Sequence, residues 1–270
     1  EIPLRLVGSE MCIRDRLQLG MLMLKEKSRK STPCVMNKKT GLDEFYASLP
    51  FKMTAAQLRC VKEITDDLSS GVPMNRLLQG DVGSGKTAVA AAACYFSYKN
   101  GYQSALMAPT EILAVQHYKT LSGFLEPLGI KTVLLTGSMT VKEKRAVKDE
   151  LMSGEAGVAV GTHAIIQKDV EFASLGLVIT DEQHRFGVSQ RAALADKGKS
   201  PHKLVMSATP IPRTLALIIY GDLDISVIDE MPAGRLPVRT YAVTGKLRKR
   251  AFNFVRQQLD SGRQAYICLL

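Results

Sequence analysis

The chain has 270 residues, 46 % of them hydrophobic and 23 % charged, the balance of a globular protein with room for one large or two modest domains. No apolar run approaches the roughly 18 residues needed to span a bilayer and no secretory leader is visible, so the protein is expected to be soluble and cytoplasmic. Five cysteines, odd in number and free of any C-x-x-C spacing, argue against a disulfide scaffold or a zinc site.

The net charge of +10 comes from the flanks: residues 51–234 carry nineteen charges of each sign, while 235–270 carry eight positive and one negative. Net charge therefore gives no independent support for nucleic-acid binding by the central region. The cluster Lys246, Arg248, Lys249 and Arg250 reads equally as a nucleic-acid contact or as the solvated face of a helix.

In chain order, Val7 to Arg16 resembles a translated sequencing adapter, so residues 1–16 are read as a non-native leader; Cys268 to Leu270 is compatible with the start of its counterpart. Residues 17–50 read as a linker, a helix tail with a basic end over 17–30 followed by a loop. From residue 51 short β-rich runs alternate with helical ones, the pattern of an α/β domain with a doubly wound, mainly parallel sheet. Leu77 and Leu78 belong to the first strand, followed by Ser104 to Ala108, Lys131 to Leu135, Gly157 to Gly161, Leu175 to Thr180 and Lys203 to Ala208. Thr140 and Glu143 stand in capping-box spacing at the head of one intervening helix. This first domain is placed at 51–234. Beyond it a strand over Arg239 to Val243, a helix from Lys246 to about Ser261 and a strand over Gln264 to Ile267 read as the truncated start of a second domain, 235–270.

The octet GDVGSGKT, Gly80, Asp81, Val82, Gly83, Ser84, Gly85, Lys86 and Thr87, matches the phosphate-loop pattern G-x-x-x-x-G-K-[ST] without a mismatch. At ordinary residue frequencies a chain of this length meets it by chance on the order of one time in a hundred. The glycines let the backbone curl until successive N–H groups point inward, and the following helix adds the positive end of its dipole. Lys86 would reach the β and γ phosphates as a point charge, and the Thr87 hydroxyl would ligate Mg²⁺ bridging them.

A second site follows the apolar run Leu175 to Thr180, which ends in Asp181, Glu182, Gln183 and His184. Ligands of open parallel sheets bind beyond the carboxyl ends of the strands, so these carboxylates belong on the same edge as the phosphate loop. Reach divides the work: Asp181 holds Mg²⁺ through its water shell, and Glu182 polarises the water that attacks the γ phosphate.

Together with LPFKMTAAQ, ALMAPTEILAVQH, VGTHAIIQKDVEF, SATPIPRTLAL and YGDLDISVIDEMPAGR, these motifs resemble the superfamily 2 helicases, and within them the RecG family of branched-DNA helicases, over about Leu49 to Tyr266. The resemblance implies a RecA-like P-loop fold, ATP and Mg²⁺ as ligands, and an ATP-dependent helicase or translocase acting on branched DNA in recombination and replication-fork repair. Phe51, Thr54 and Gln57 match the adenine-reading motif, whose glutamine amide offers both a donor and an acceptor. Pro109, Thr110 and Glu111, with Thr136, Gly137 and Ser138, and Thr162 with His163, match the loops that track one DNA strand without reading its sequence. His184 with Ser207, Ala208 and Thr209 matches the motifs that relay the nucleotide state to those loops. No membrane and no obligate protein partner is inferred.

The transcription-repair coupling translocases share the HRFG and ATPIPRT stretches. Ser84, Gln183 and the APTEILA run at 108–114 favour the RecG family, and the coupling-factor reading stands as the alternative. A third reading takes this chain as it stands for a nucleotide- and DNA-binding module without useful turnover.

Overall fold

A computed structural model describes residues 34–37, 41–181, 200–208, 223–231 and 240–268. The helix anticipated over 17–30, together with Glu182, His184 and Thr209, lies outside the described residues. The chain divides into two compact units, Glu1–Pro232 and Ala233–Leu270.

Among the described residues of the first unit seven strands form one sheet: β1 (Asn75–Gly80), β2 (Gln103–Met107), β3 (Thr132–Leu135), β4 (Val158–Gly161), β5 (Leu175–Asp181), β6 (His202–Ser207) and β7 (Asp224–Ile228). Their order is β3-β4-β2-β5-β6-β1-β7, and every pairing is parallel. A parallel sheet needs cover on both faces, which is why β5 reads as an unbroken buried run and not as an alternating one. Successive residues of β2 divide between the two cores: Leu106 faces one, while Ala105 and Met107 face the other.

The larger core is closed by α1 (Asp43–Ser48), α2 (Ala55–Leu68), α3 (Lys86–Lys99) and α4 (Glu111–Leu125). Thr54 caps α2 in a reciprocal box with Gln57, and Ala56, Cys60, Val61, Ile64 and Leu68 give the helix one buried stripe. Helix α3 is buried on all sides from Ala88 to Ser97, which its run of alanines permits by keeping the packed helix thin. The opposite face is covered by α5 (Val141–Ser153), which begins at the anticipated Thr140–Glu143 capping box and ends on Gly154 in the left-handed conformation.

Sequence reasoning missed α1 and β7. The run Asp224 to Val227 alternates polar and apolar residues before Ile228, and it pairs with β1 at the sheet edge, Leu77 opposite Ile225. Two anticipated strands are not formed: neither residues 240–243 nor Gln264 to Ile267 has regular structure in the second unit. A strand needs a partner and an apolar face to pack, and Tyr241 and Tyr266 are instead exposed. The helix between them is present as α6 (Arg248–Asp260), entered through a 3-10 turn at Gly245–Leu247. Lys246 in that turn and Arg248, Lys249 and Arg250 on the helix are all exposed.

His202, fully buried at the start of β6, ties the segment before the domain to the sheet. Its Nε2–H donates to the Cys34 carbonyl at 2.6 Å, and its Nδ1 accepts the Met74 N–H at 3.0 Å. Desolvation holds its pKa below the ordinary histidine value. Protonation would break the Met74 bond and bury a charge, so the stability contributed here is complete above the unfolded pKa of about 6.5 and is lost as pH falls below it. Urea midpoints of the wild type are expected to fall more steeply between pH 7 and 5 than those of His202→Gln. Parallel pH profiles would refute this role.

Candidate functional site

The phosphate loop leaves β1 at Gly80 and enters α3 at Lys86. Gly83 and Gly85 hold φ of 80° and 89°, the left-handed region closed to most side chains. At Gly85 a Cβ would also lie 2.3 Å from Gln57 Nε2, so the position is closed twice over. The turn is pinned internally: Ser84 N donates to Asp81 O at 3.1 Å, and Val82 N to Asp81 Oδ1 at 2.7 Å. Lys86 Nζ donates to the carbonyls of Gly80 and Asp81 at 2.7 and 3.0 Å, which holds its charge over the loop. Ser84 is fully buried and its hydroxyl meets no partner, while a Cβ on Gly80 would come within 2.5 Å of that oxygen. A tight glycine turn at the head of a helix, with a lysine ammonium held over it, is the feature an anionic phosphate group fits.

Asp181 is the last residue of β5. It stands opposite Met206 of β6, which stands opposite Leu78 of β1. Two strand spacings, roughly 10 Å, therefore separate the carboxylate from the loop along one sheet edge. Ser207 ends the strand between them and Ala208 follows it. The sheet thus brings Asp181, Ser207, Ala208 and the octet to one place.

Gln57 is 2 % exposed and its amide is turned into the protein, Oε1 accepting from Thr54 N at 2.9 Å and Nε2 donating to Ser84 O at 2.8 Å. Each polar atom keeps one further bonding position. The glutamine thereby joins the head of α2 to the phosphate loop. Phe51 is packed edge-on against Phe124 with ring centroids 5.9 Å apart, beside Tyr46, Met53 and Leu58 on a surface cavity of about 600 Å³.

The remaining predicted residues occupy the other half of the same edge, after β2, β3 and β4. Pro109 follows β2, and the Thr110 hydroxyl caps α4 by accepting from Leu113 N at 3.3 Å. Glu111 Oε1 accepts from Ser138 N at 3.0 Å, bracing one loop against the next. The Ser138 hydroxyl and then its backbone N–H hold the Glu111 carboxyl below the usual carboxylate range. The hydroxyls of Thr136 and Ser138 lie 3.2 Å apart, and Lys144 Nζ binds Gly137 O. Thr162 is buried with no partner for its hydroxyl, beside exposed His163.

One contact was not anticipated. His117, two turns into α4, places Nε2 2.8 Å from Asp181 Oδ2, with both side chains 12 % exposed. The only sequence signal for it is a histidine in the helix after APTEILA, which acquires meaning once α4 and β5 are seen to be neighbours.

The DEAD/DEAH box helicase family matches over residues 54–218, more than half of the chain. The chain belongs to this helicase family. Among individual proteins it is similar to the ATP-dependent DNA helicase RecG of Bacillus subtilis, 52 % identical over 252 residues, and of Aquifex aeolicus, 53 % identical over 253 residues. Each alignment covers 93 % of this chain but only 37 % and 32 % of the relative, so the chain spans about a third of those helicases. A solved structure of RecG bound to a three-way DNA junction aligns with a TM-score of 0.81 at 46 % identity, covering 94 % of this chain and 35 % of that one. The fold is the RecA-like α/β fold of this helicase family. A DUF1998 helicase, MrfA, shares it at a TM-score of 0.54 and 16 % identity. No helix among the described residues is long and apolar enough to cross a membrane.

Proposed function

We propose that this chain is the ATP-binding motor domain, residues 51–234, with the start of a second motor domain, 235–270, of an ATP-dependent DNA helicase acting on branched DNA in recombination and fork repair. The observation that carries the reading is the division of one sheet edge: a phosphate loop and Asp181 on the β1, β6 and β5 side, and hydroxyl- and glycine-rich loops on the β2, β4 and β3 side. The similarity to RecG, including the protein held on a three-way junction, supports branched DNA as the substrate. It also favours this reading over the coupling translocases.

The loop N–H groups from Gly80 to Thr87 receive the phosphates, Lys86 neutralises the β and γ groups, and Phe51, Thr54 and Gln57 form the base side. Thr87 and Asp181 are the residues that would hold Mg²⁺. The ion would supply positive charge against that developing in phosphoryl transfer. Glu182, next in sequence to Asp181, orients the attacking water. Thr110, Glu111, Thr136, Gly137, Ser138, Thr162 and His163, with Pro109 shaping the first loop, grip one strand by its phosphates. Hydroxyls and main-chain N–H groups contact a backbone without reading bases, which suits sequence-independent movement. Ser207 and Ala208, with His184 and Thr209, pass the nucleotide state between the two halves.

The test separates binding from chemistry. In a helicase carrying both motor domains, Glu182→Gln is expected to keep ATP affinity and to lower turnover by about 10²-fold or more, the scale of a positioned general base. Asp181→Asn is expected instead to raise the Mg²⁺ concentration required. Equal turnover by wild type and Glu182→Gln would remove Glu182 from the mechanism.

A further inference from the structure

We infer that His117 is the positioning residue of Asp181, and that α4 is the body through which the strand-gripping loops bias that carboxylate. The inference rests on the nucleotide-site reading above.

A carboxylate oxygen can only accept, so at 2.8 Å the imidazole Nε2 carries the proton and donates to Oδ2. One of the two Asp181 oxygens is thus committed to the protein, which fixes the plane of the carboxylate. Partners of this kind set the orientation of a ligating group, and their loss commonly costs about 10- to 100-fold in metal affinity or activity. Burial sharpens the effect. Both side chains are about nine-tenths covered, so little water is at hand to replace the bond.

His117 does not sit on a free-standing loop. Helix α4 is seated on the sheet by Ala114, Leu121 and Leu125, all fully buried. On a helical wheel Glu111 and His117 lie about 120° apart, one on each margin of that buried stripe. The strand order explains the two directions: Glu111 reaches the loop after β3, and His117 reaches the end of β5, on opposite sides of β2. A rigid helix pinned at both margins cannot shift at Glu111 without shifting the imidazole some 9 Å further along its axis. Strand seating at Ser138 and the aim of Asp181 are therefore mechanically joined.

The experiment measures binding of a non-hydrolysable ATP analogue to the full 270-residue chain by calorimetry, across a Mg²⁺ titration, with and without a forked DNA. His117→Ala is expected to raise the half-saturating Mg²⁺ concentration 10- to 100-fold and to abolish the effect of DNA on nucleotide affinity. His117→Gln, whose amide N–H can reach the same oxygen, is expected to restore both to within about threefold, which a merely structural role for the ring would not allow. Wild-type Mg²⁺ dependence in His117→Ala, or equal loss in the Ala and Gln variants, overturns the positioning role. Retained coupling to DNA in His117→Ala overturns the part assigned to α4. A wild-type chain that shows no Mg²⁺-dependent nucleotide binding overturns the nucleotide-site reading itself, an outcome distinct from the others.

Discussion

Lys86→Ala is expected to weaken binding of Mg²⁺ and a non-hydrolysable ATP analogue by at least about 100-fold, or roughly 2.7 kcal/mol. The ammonium group lies over the loop on the Gly80 and Asp81 carbonyls, the position from which it would meet an incoming polyphosphate. Removing it leaves the N–H cradle and the helix dipole in place, and these retain a weak anion site. They do not neutralise a group carrying several negative charges. The fold should survive. Lys86 is only partly buried and lies outside the apolar cores, so the change in unfolding free energy is expected to stay within about 1 kcal/mol. Calorimetry paired with thermal melting tests both halves. Unchanged affinity with an unchanged melt would strip Lys86 of its assigned part.

The largest effect concerns turnover by the chain as it stands. The resemblance to the RecG family implies that ATP lies between two RecA-like domains and that the second supplies arginines to the γ phosphate. An arginine delivered to the transition state is worth about 10³ to 10⁵ in rate in comparable phosphoryl-transfer systems. The described residues of 240–268 make one helix and no strand, with α6 exposing Phe252 and Phe254, so this stretch builds no sheet from which such a group could be held. The 270-residue chain is therefore expected to bind nucleotide while hydrolysing it about 10³- to 10⁵-fold more slowly than a relative with both domains. It is also expected to separate no strands. ATPase and fork-unwinding assays on matched DNA decide the matter. Unwinding near the rate of an intact helicase would end this account of the mechanism.

What could be read from the sequence depended on how local the signal was. The phosphate loop is eight contiguous residues after an apolar strand, and the Thr140–Glu143 box spans a single turn; both were legible and both are built as expected. Strand β7 was not, because Asp224 to Ile228 becomes a strand by pairing with β1, a partner about 150 residues earlier. The strands expected at 239–243 and 264–267 failed for the reverse reason. Their residues suit a pleated surface, but in the described second unit nothing lies alongside them to pair with. The candidate site divides the same way. Lys86 and Asp181 announce themselves by motif, whereas His117 carries no motif, and nothing in the sequence signals that Gln57, expected as a base contact, braces Ser84.

The strand order dictates a timetable for the nascent chain. Strands β2, β3 and β4 are neighbours in space and close in sequence, so that half of the sheet can begin to form early. Strand β1 pairs only with β6 and β7, whose residues are made about 130 to 150 positions later. At roughly 5 to 20 residues per second, the strand bearing the phosphate loop waits on the order of 6 to 30 s with both edges open. Such an interval exposes Leu77 and Leu78, buried in the finished sheet, to any other strand or chaperone in reach. Slowing synthesis between Asp181 and His202 would lengthen that exposure, and aggregation of nascent chains should respond more strongly to pauses there than to pauses after Ile228.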